Sequence, residues 1–299
     1  MISGCRTTCC PRCFAETDFR SPNGFFVRKS DSRRIRRWRC RACGKSWSAA
    51  TFDPCFGHKK RRIHGLLSLL LCSGVSLRRS ARILGVHRTT VARKLCFLAQ
   101  QARLRHQRLL MGIFPELLQF DEMETFLHSK WKPVSIGLIV DPLTRNVLSR
   151  ELSIMPARGT EAAKARKKYG PRPDERTPGL HRLFNSMEGH LMDLEQITSD
   201  ENPRYPPIVG AHCPHARHRQ VKGKRGCIVG KGELKKTGFD PLFALNHTCA
   251  MIRDNVSRLR RRTWSTSKTM EGLRDHLDLY LDYHNRVLTR PRDFKTTVV

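Results

Sequence analysis

Glu116-Leu-Leu-Gln-Phe-Asp-Glu-Met-Glu-Thr125 carries an apolar run straight into carboxylates. Leu117, Leu118 and Phe120 suit a strand, and Asp121 stands where the apolar run stops. Further on, Gln196-Ile-Thr-Ser199 reads as a second short strand, ending at Asp200. Between the two, residues 133–140 and 146–154 read as a hairpin around Asp141-Pro-Leu-Thr144, a favourable turn sequence. Residues 157–194 are basic and helix-leaning, broken at Gly170-Pro-Arg-Pro173. A long helix is expected from about Pro241 to Arg262. Strands and helices therefore mix in the C-terminal two thirds.

A carboxylate at the end of each of two strands is useful geometry. If the strands are neighbours, Asp121 and Asp200 can bind the same divalent ions. Two Mg²⁺ ions roughly 3.5–4 Å apart clamp the attacking and leaving oxygens of a phosphoryl transfer. Oxygen donors suit magnesium, which keeps waters and substrate phosphates in its shell. Strand-end aspartates are also common turn residues, so the pair alone leaves both readings open. Glu122 and Glu124 fall on the face opposite Asp121 in a regular strand and are secondary.

Toward the N-terminus, Cys10-Pro-Arg-Cys13 and Cys40-Arg-Ala-Cys43 form two C-x-x-C knuckles with 26 residues between them. Two intervening residues let both thiolates of a knuckle reach one ion, and four thiolates complete a tetrahedral structural zinc site. Phe25, Phe26, Val27, Ile35 and Trp38 suit short strands, which gives a zinc ribbon over residues 1–56. So small a segment has little core, and the metal supplies much of its folding free energy. Cys9 would need a three-residue gap to Cys13, so Cys10 is the preferred ligand.

Residues 57–110 read as a helix-turn-helix. Ile63 to Cys72 is an apolar helix broken by Gly74, and Ser76 caps a second helix over Leu77 to Leu84. Gly85-Val86 makes the turn, and His87 or Arg88 opens a third helix. Ala81, Gly85 and Val91 are the small, turn-forming and branched residues that two closely packed helices require. The third helix then presents Arg88, Thr89, Thr90, Arg93 and Lys94 to a DNA major groove or its phosphates. About Leu95 to Leu110 is expected as a helical linker.

The charge supports a polyanionic partner. The chain has 299 residues, 57 Lys and Arg, 26 Asp and Glu, and a net charge of +31. Residues 1–110 hold 25 of those cations and only 4 of the acids, net +21. The run Leu66 to Cys72 is far short of a membrane span, and Met-Ile-Ser-Gly-Cys-Arg has no secretory h-region, so a cytoplasmic protein is expected. The 12 cysteines then point to metal ligation before disulfides. His212-Cys-Pro-His215 and His218 space poorly for a metal and read as a nucleic-acid-facing loop. Trp264 near Arg260, Arg261, Arg262 and Lys268 either stacks on a base or seals the core.

The order of ribbon, helix-turn-helix and strand-borne Asp resembles bacterial insertion-sequence transposases. The resemblance spans nearly the whole chain. Its specific pieces are Trp38 to Ser48, Phe120 to Thr125, Ile197-Thr-Ser-Asp200 with Tyr205, Arg253 to Lys268, and Tyr283-His-Asn285. It implies an RNase H-like mixed-sheet catalytic domain over residues 111–299, with Asp121 and Asp200 as the first two acids of a triad holding Mg²⁺ or Mn²⁺. It also implies duplex DNA partners, both element ends and target, and a homo-oligomer that pairs two ends.

The third acid departs from the pattern. The family's glutamate precedes an arginine, here similar to Arg253, by seven residues, and that position is Asn246. An amide oxygen ligates a hard cation but brings no charge and is no base. Three readings stand, in order: Asn246 as a weaker third ligand, Glu233 as an acid from the preceding loop, or a catalytically dead copy. A repurposed transposase that only binds DNA and an RNA-binding translation protein are the rival classes.

Overall fold

The computed structural model describes residues 9–29, 31–222, 240–260 and 264–289. Two compact units divide the chain, Met1–Leu66 and Leu67–Val299. The first contains a three-stranded antiparallel sheet of β1 (Arg20–Arg28), β2 (Arg33–Cys40) and β3 (Ser46–Ser48). Its buried cluster is only Cys10, Cys40 and Trp47, with Ala15, Trp38, Cys43 and Phe52 against it.

The second unit begins within α1 (His64–Cys72) and continues through α2 (Leu77–Ile83) and α3 (Arg88–Leu110). Ser76 caps α2 by accepting from the Arg79 amide, and His87 Nδ1 caps α3 by accepting from the Thr89 amide. Gly85 takes the turn between them at φ +60°, and the Val86 amide closes on Ala81 O at 3.0 Å. The expected linker over Leu95 to Leu110 is no separate element. Nothing in Arg88–Leu110 breaks a helix, so α3 runs 23 residues without interruption.

Next come β4 (Leu117–Phe126), β5 (Pro133–Val140), β6 (Val147–Ile154), α4 (Ala162–Tyr169), α5 (Arg176–Asn185), β7 (Gln196–Asp200), α6 (Tyr205–His212) and β8 (Arg217–Val221). Then follow α7 (Phe243–Asn255) and α8 (Met270–Tyr283). The strands form one mixed sheet in the order β6-β5-β4-β7-β8. β4, β5 and β6 pair antiparallel, while β4–β7 and β7–β8 pair parallel. β5 is apolar almost throughout and buried from Val134 to Val140, as a strand covered on both faces must be.

Helices cover both faces of this sheet. Leu118, Phe120, Ile139 and Leu148 pack with Leu183 and Phe184 of α5 and Tyr205, Ile208 and Val209 of α6. Met123, Ile136 and Leu138 share the other core with Leu67 and Leu71 of α1, Val91 and Leu95 of α3, and Leu245, Ile252, Leu273, Leu277 and Tyr280 of α7 and α8. Helices α1 and α3 are therefore continuous with the sheet's core. Arg103 on α3 pairs with Asp275 and Asp278 on α8, and Arg105 with Asp282. Asn285 completes the assembly: its amide donates to Val147 O at 2.8 Å and accepts from Val147 N at 2.9 Å.

Two expectations are corrected here. The helix from Pro241 ends at Asn255, because Val256 turns extended (φ −96°, ψ 100°), and Arg262 is outside the described residues. The segment after His212 is a loop only as far as residue 216. Arg217–Val221 is β8, paired residue by residue with β7, because alternating Arg217, Arg219 and Val221 satisfy an edge strand. Among the described residues, no helix is long and apolar enough to cross a membrane.

Candidate functional site

In the smaller unit the four expected cysteines meet. The Sγ atoms of Cys10, Cys13, Cys40 and Cys43 all lie within 4.8 Å of one another. Cys10 and Cys43 approach to 3.5 Å, as do Cys13 and Cys40. The turns that allow this are local. Phe14 N donates to Cys10 O, Gly44 N to Cys40 O, and Gly44 adopts φ +71°. Burial raises the Cys10 thiol, and the Cys13 and Arg12 amides outweigh it, holding it at about 6. The cluster is a four-sulfur donor set suited to zinc and fits a zinc ribbon.

In the larger unit, Asp121 and Asp200 stand on neighbouring strands. β4 and β7 run parallel with Leu117, Leu118 and Gln119 opposite Gln196, Ile197 and Thr198. Continuing that register by two residues sets Asp121 level with Asp200. Asp121 Oδ1 accepts from the Tyr205 hydroxyl at 2.8 Å and from the Glu122 amide at 2.6 Å. Asp200 Oδ1 accepts from the Asn202 amide at 3.0 Å, an Asx turn that leads the chain into α6 and so places Tyr205. Each carboxylate thus spends one oxygen on being held. Among the described residues, neither Oδ2 has a hydrogen-bond partner and neither aspartate makes an ion pair.

The electrostatics follow from that crowding. Burial, then the Asp200 charge, pushes Asp121 up to about 6 against the pull of the Glu122 amide and Tyr205. Burial and the Asp121 charge push the Tyr205 phenol up, so it stays a hydrogen-bond donor. The nearby Asp200 charge adds to the cost of ionising Asp121, and a divalent ion bound there would offset that cost.

Glu122 points to the other face, where Ser135 Oγ donates to it at 2.5 Å and burial pushes it up. Glu124 is exposed and pairs with Arg158 at 3.5 Å. Both stand apart from Asp121, as strand alternation requires.

Asn246 lies on α7, which Gln119 fastens to β4. Gln119 Oε1 accepts from the Leu245 amide at 3.0 Å and its Nε2 donates to Pro241 O at 2.8 Å. Cys249, one turn on, lies close enough for the Asp121 charge to help raise its thiol, after burial. The Asn246 amide nitrogen donates to Asp240 Oδ2 at 3.0 Å, which turns its oxygen the other way. Asp240 also takes the Leu242 amide on Oδ1 at 3.0 Å, closing the start of α7. Sequence reading passed over Asp240, although an acid just before an apolar helix is a capping signal. Glu233 lies outside the described residues.

The five helix-turn-helix residues divide. Arg88, Thr89 and Arg93 are exposed at the start of α3 and Thr90 is half-buried. Lys94 does not join them. It is 8% exposed, because Val91, Lys94, Leu95 and Leu98 recur at helical spacing on the inward stripe. Trp264 is fully exposed and does not seal the core.

No family model and no curated protein matches the chain. Among solved structures it is similar to a chain of the simian T-cell lymphotropic virus intasome, determined by cryo-electron microscopy in complex with PP2A regulatory subunit B56 gamma. The identity is 14%, the match covers 79% of this chain and 78% of that one, and the TM-score is 0.30. A likeness of that extent carries no inference about activity.

Proposed function

We propose that this protein is a DNA transposase of the insertion-sequence kind, cutting and joining DNA strands with divalent metal. The observation that carries the reading is the pair Asp121 and Asp200: neighbouring parallel strands, each carboxylate fixed through one oxygen, each Oδ2 without a partner among the described residues. A structural turn aspartate needs no such neighbour. The mixed five-stranded sheet, the four-cysteine cluster and the basic residues of α2 and α3 support the same reading.

The donor set fits Mg²⁺ or Mn²⁺ in kind, being hard oxygen only. Asp121 and Asp200 would hold the metal, with the Asn246 oxygen as third donor. Bound there, the ions would supply charge neutralisation at the phosphate and activation of water or a 3′-hydroxyl. The chain's own residues prepare that chemistry. Tyr205 and the Glu122 amide fix the Asp121 carboxylate, the Asn202 turn fixes Asp200, and Asp240 orients Asn246. Above pH 6 Asp121 is ionised and competent to ligate. Arg88, Thr89, Thr90 and Arg93 would engage the DNA duplex, and the transposase resemblance implies that two element ends are paired by at least a dimer. The cysteine cluster would hold structural zinc.

Asn246 keeps a second reading in play, a transposase-derived protein that binds DNA without cutting it. The deciding experiment is a Mg²⁺-dependent strand-transfer assay on end-containing DNA. Wild type should join strands and Asp200→Ala should not. An inactive wild type that still binds duplex DNA would establish the second reading. Asn246→Ala beside Glu233→Ala then assigns the third ligand.

A further inference from the structure

A cavity of about 340 Å³ opens in the larger unit where the start of α3 faces the connection between α7 and α8. Its walls carry Arg78 and Arg88 from the helix-turn-helix and Ser257, Arg258 and Ser265 from that connection, distant in sequence. No carboxylate stands among its described lining residues. Its size is within the range of small-ligand sites.

Two features of this cavity go beyond a basic surface. Ser257 is 4% exposed, yet its hydroxyl has no hydrogen-bond partner among the described residues. A buried hydroxyl left unpaired costs free energy, and the cavity it lines is where a partner can stand. Arg258 is drawn inward and anchored by one nitrogen, Nη1, to Gly272 O at 2.9 Å. Gly272 permits this, since a Cβ there would lie 3.1 Å from that nitrogen. Burial holds the Arg258 guanidinium below its usual value, with only Asp275 opposing. A partly desolvated cation with donors to spare, beside an orphan hydroxyl, is complementary to an anion with several acceptor oxygens.

We infer that this cavity is a phosphate-binding site that seats one backbone phosphodiester of the bound DNA between Arg88, Ser257 and Arg258. The inference rests on the reading of the chain as a DNA-binding transposase. It deepens that reading by assigning DNA contacts to the α7–α8 connection, outside the helix-turn-helix. One phosphate gripped from both sides would fix the DNA's register against the unit that carries Asp121 and Asp200.

The test is fluorescence anisotropy of the full-length protein on a mixed-sequence DNA duplex across a salt series. Arg258→Gln should weaken binding and reduce the slope of log affinity against log salt by about 1. Ser257→Ala removes no charge, so it should weaken binding about ten-fold with the slope unchanged. Because the Ser257 hydroxyl has no partner among the described residues, the same variant should melt no lower than wild type, which separates a binding role from a folding one. If Ser257→Ala and Arg258→Gln both bind like wild type while Arg88→Gln weakens binding, the cavity proposal is overturned and the DNA-binding reading stands. If wild type binds no duplex, that reading falls, and inorganic phosphate becomes the probe. Thermal stabilisation by phosphate in wild type but not in Ser257→Ala would keep the site as a free-anion site. Its absence would end the proposal.

Discussion

The cysteine cluster and the proposed carboxylate site of this chain are built on opposite principles. The four cysteines come from two knuckles whose geometry is local: Cys10 with Cys13, Cys40 with Cys43, each pair closed by its own turn. The two carboxylates come from strands 79 residues apart and meet only because β4 and β7 are neighbours. Around the thiolates there is almost no core, with Trp47 as the main buried side chain. Behind the carboxylates stand two extensive apolar cores. At the cluster, bound zinc would make the fold; at the proposed carboxylate site the fold makes the site.

The widest gap between them should show on metal removal. Chelating zinc, or replacing Cys40 with Ser, is expected to cost the smaller unit all its structure, since structural zinc contributes on the order of 10 kcal/mol to folding. Hydrogen exchange should show full loss of protection in β1–β3 with the larger unit's melting unchanged. Removing Mg²⁺ should leave both units folded. Persistent protection in β2 after zinc removal would break the comparison outright.

Next in size is the loss of catalysis. Asp200→Ala should lower Mg²⁺-dependent strand transfer at least about a thousand-fold, the several kcal/mol that a metal site supplies to its transition state. Circular dichroism should show an unchanged fold, because Asp200 ends its strand and its side chain bonds only to the Asn202 amide in the next turn.

That asymmetry also explains what could be read in advance. C-x-x-C spacing is written in consecutive residues, so all four ligands were legible. β4, β5, β6 and β7 were legible too, from Leu117-Leu118 through Val147 to Gln196. That Asp121 and Asp200 are adjacent is a fact of sheet order, which no local pattern encodes. The same holds for Arg103 and Arg105 on α3, whose partners Asp275, Asp278 and Asp282 lie on α8, far along the chain. Lys94 was read from its charge, while the helical stripe of Val91 and Leu95 decided its direction. β8 was hidden because five residues rich in Arg look like loop until an edge strand needs them.

A smaller effect tests the carboxylates as strained without metal. Asp121 sits at about 6 against an ordinary value of 3.8, so its ionisation opposes folding. A carboxyl raised on folding favours the folded state most below its unfolded value, and that contribution is lost as pH climbs through about 6. Asp121→Asn keeps an oxygen for Tyr205 and Glu122 but removes the charge. In metal-free protein at pH 7.5 it should therefore stabilise by on the order of 3 kcal/mol, a rise of several degrees in Tm. The gain should shrink toward pH 4. A variant that melts lower than wild type at pH 7.5 would show that the pair is held by something other than awaited cation.

The finest distinction concerns Tyr205, which has no counterpart at the cysteine cluster. There, burial raises the Cys10 thiol and the Cys13 and Arg12 amides, with the neighbouring Cys43 and Cys13 sulfurs, lower it. At Asp121 a buried side chain does it, through the 2.8 Å hydrogen bond. Tyr205→Phe retains the ring's packing against Phe120 and deletes only that donor. A hydrogen bond to a charged group is worth about 1.5–3 kcal/mol, so Asp121 should titrate higher and strand transfer should fall about ten-fold near pH 6.5. By pH 8.5 the carboxyl is ionised in either protein and most of the deficit should disappear. An acid limb displaced upward, with the plateau nearly intact, identifies Tyr205 as a positioning residue acting through the protonation of Asp121. An equal loss at every pH would instead mean that the hydroxyl fixes the direction of Oδ2, a role in geometry that titration does not touch.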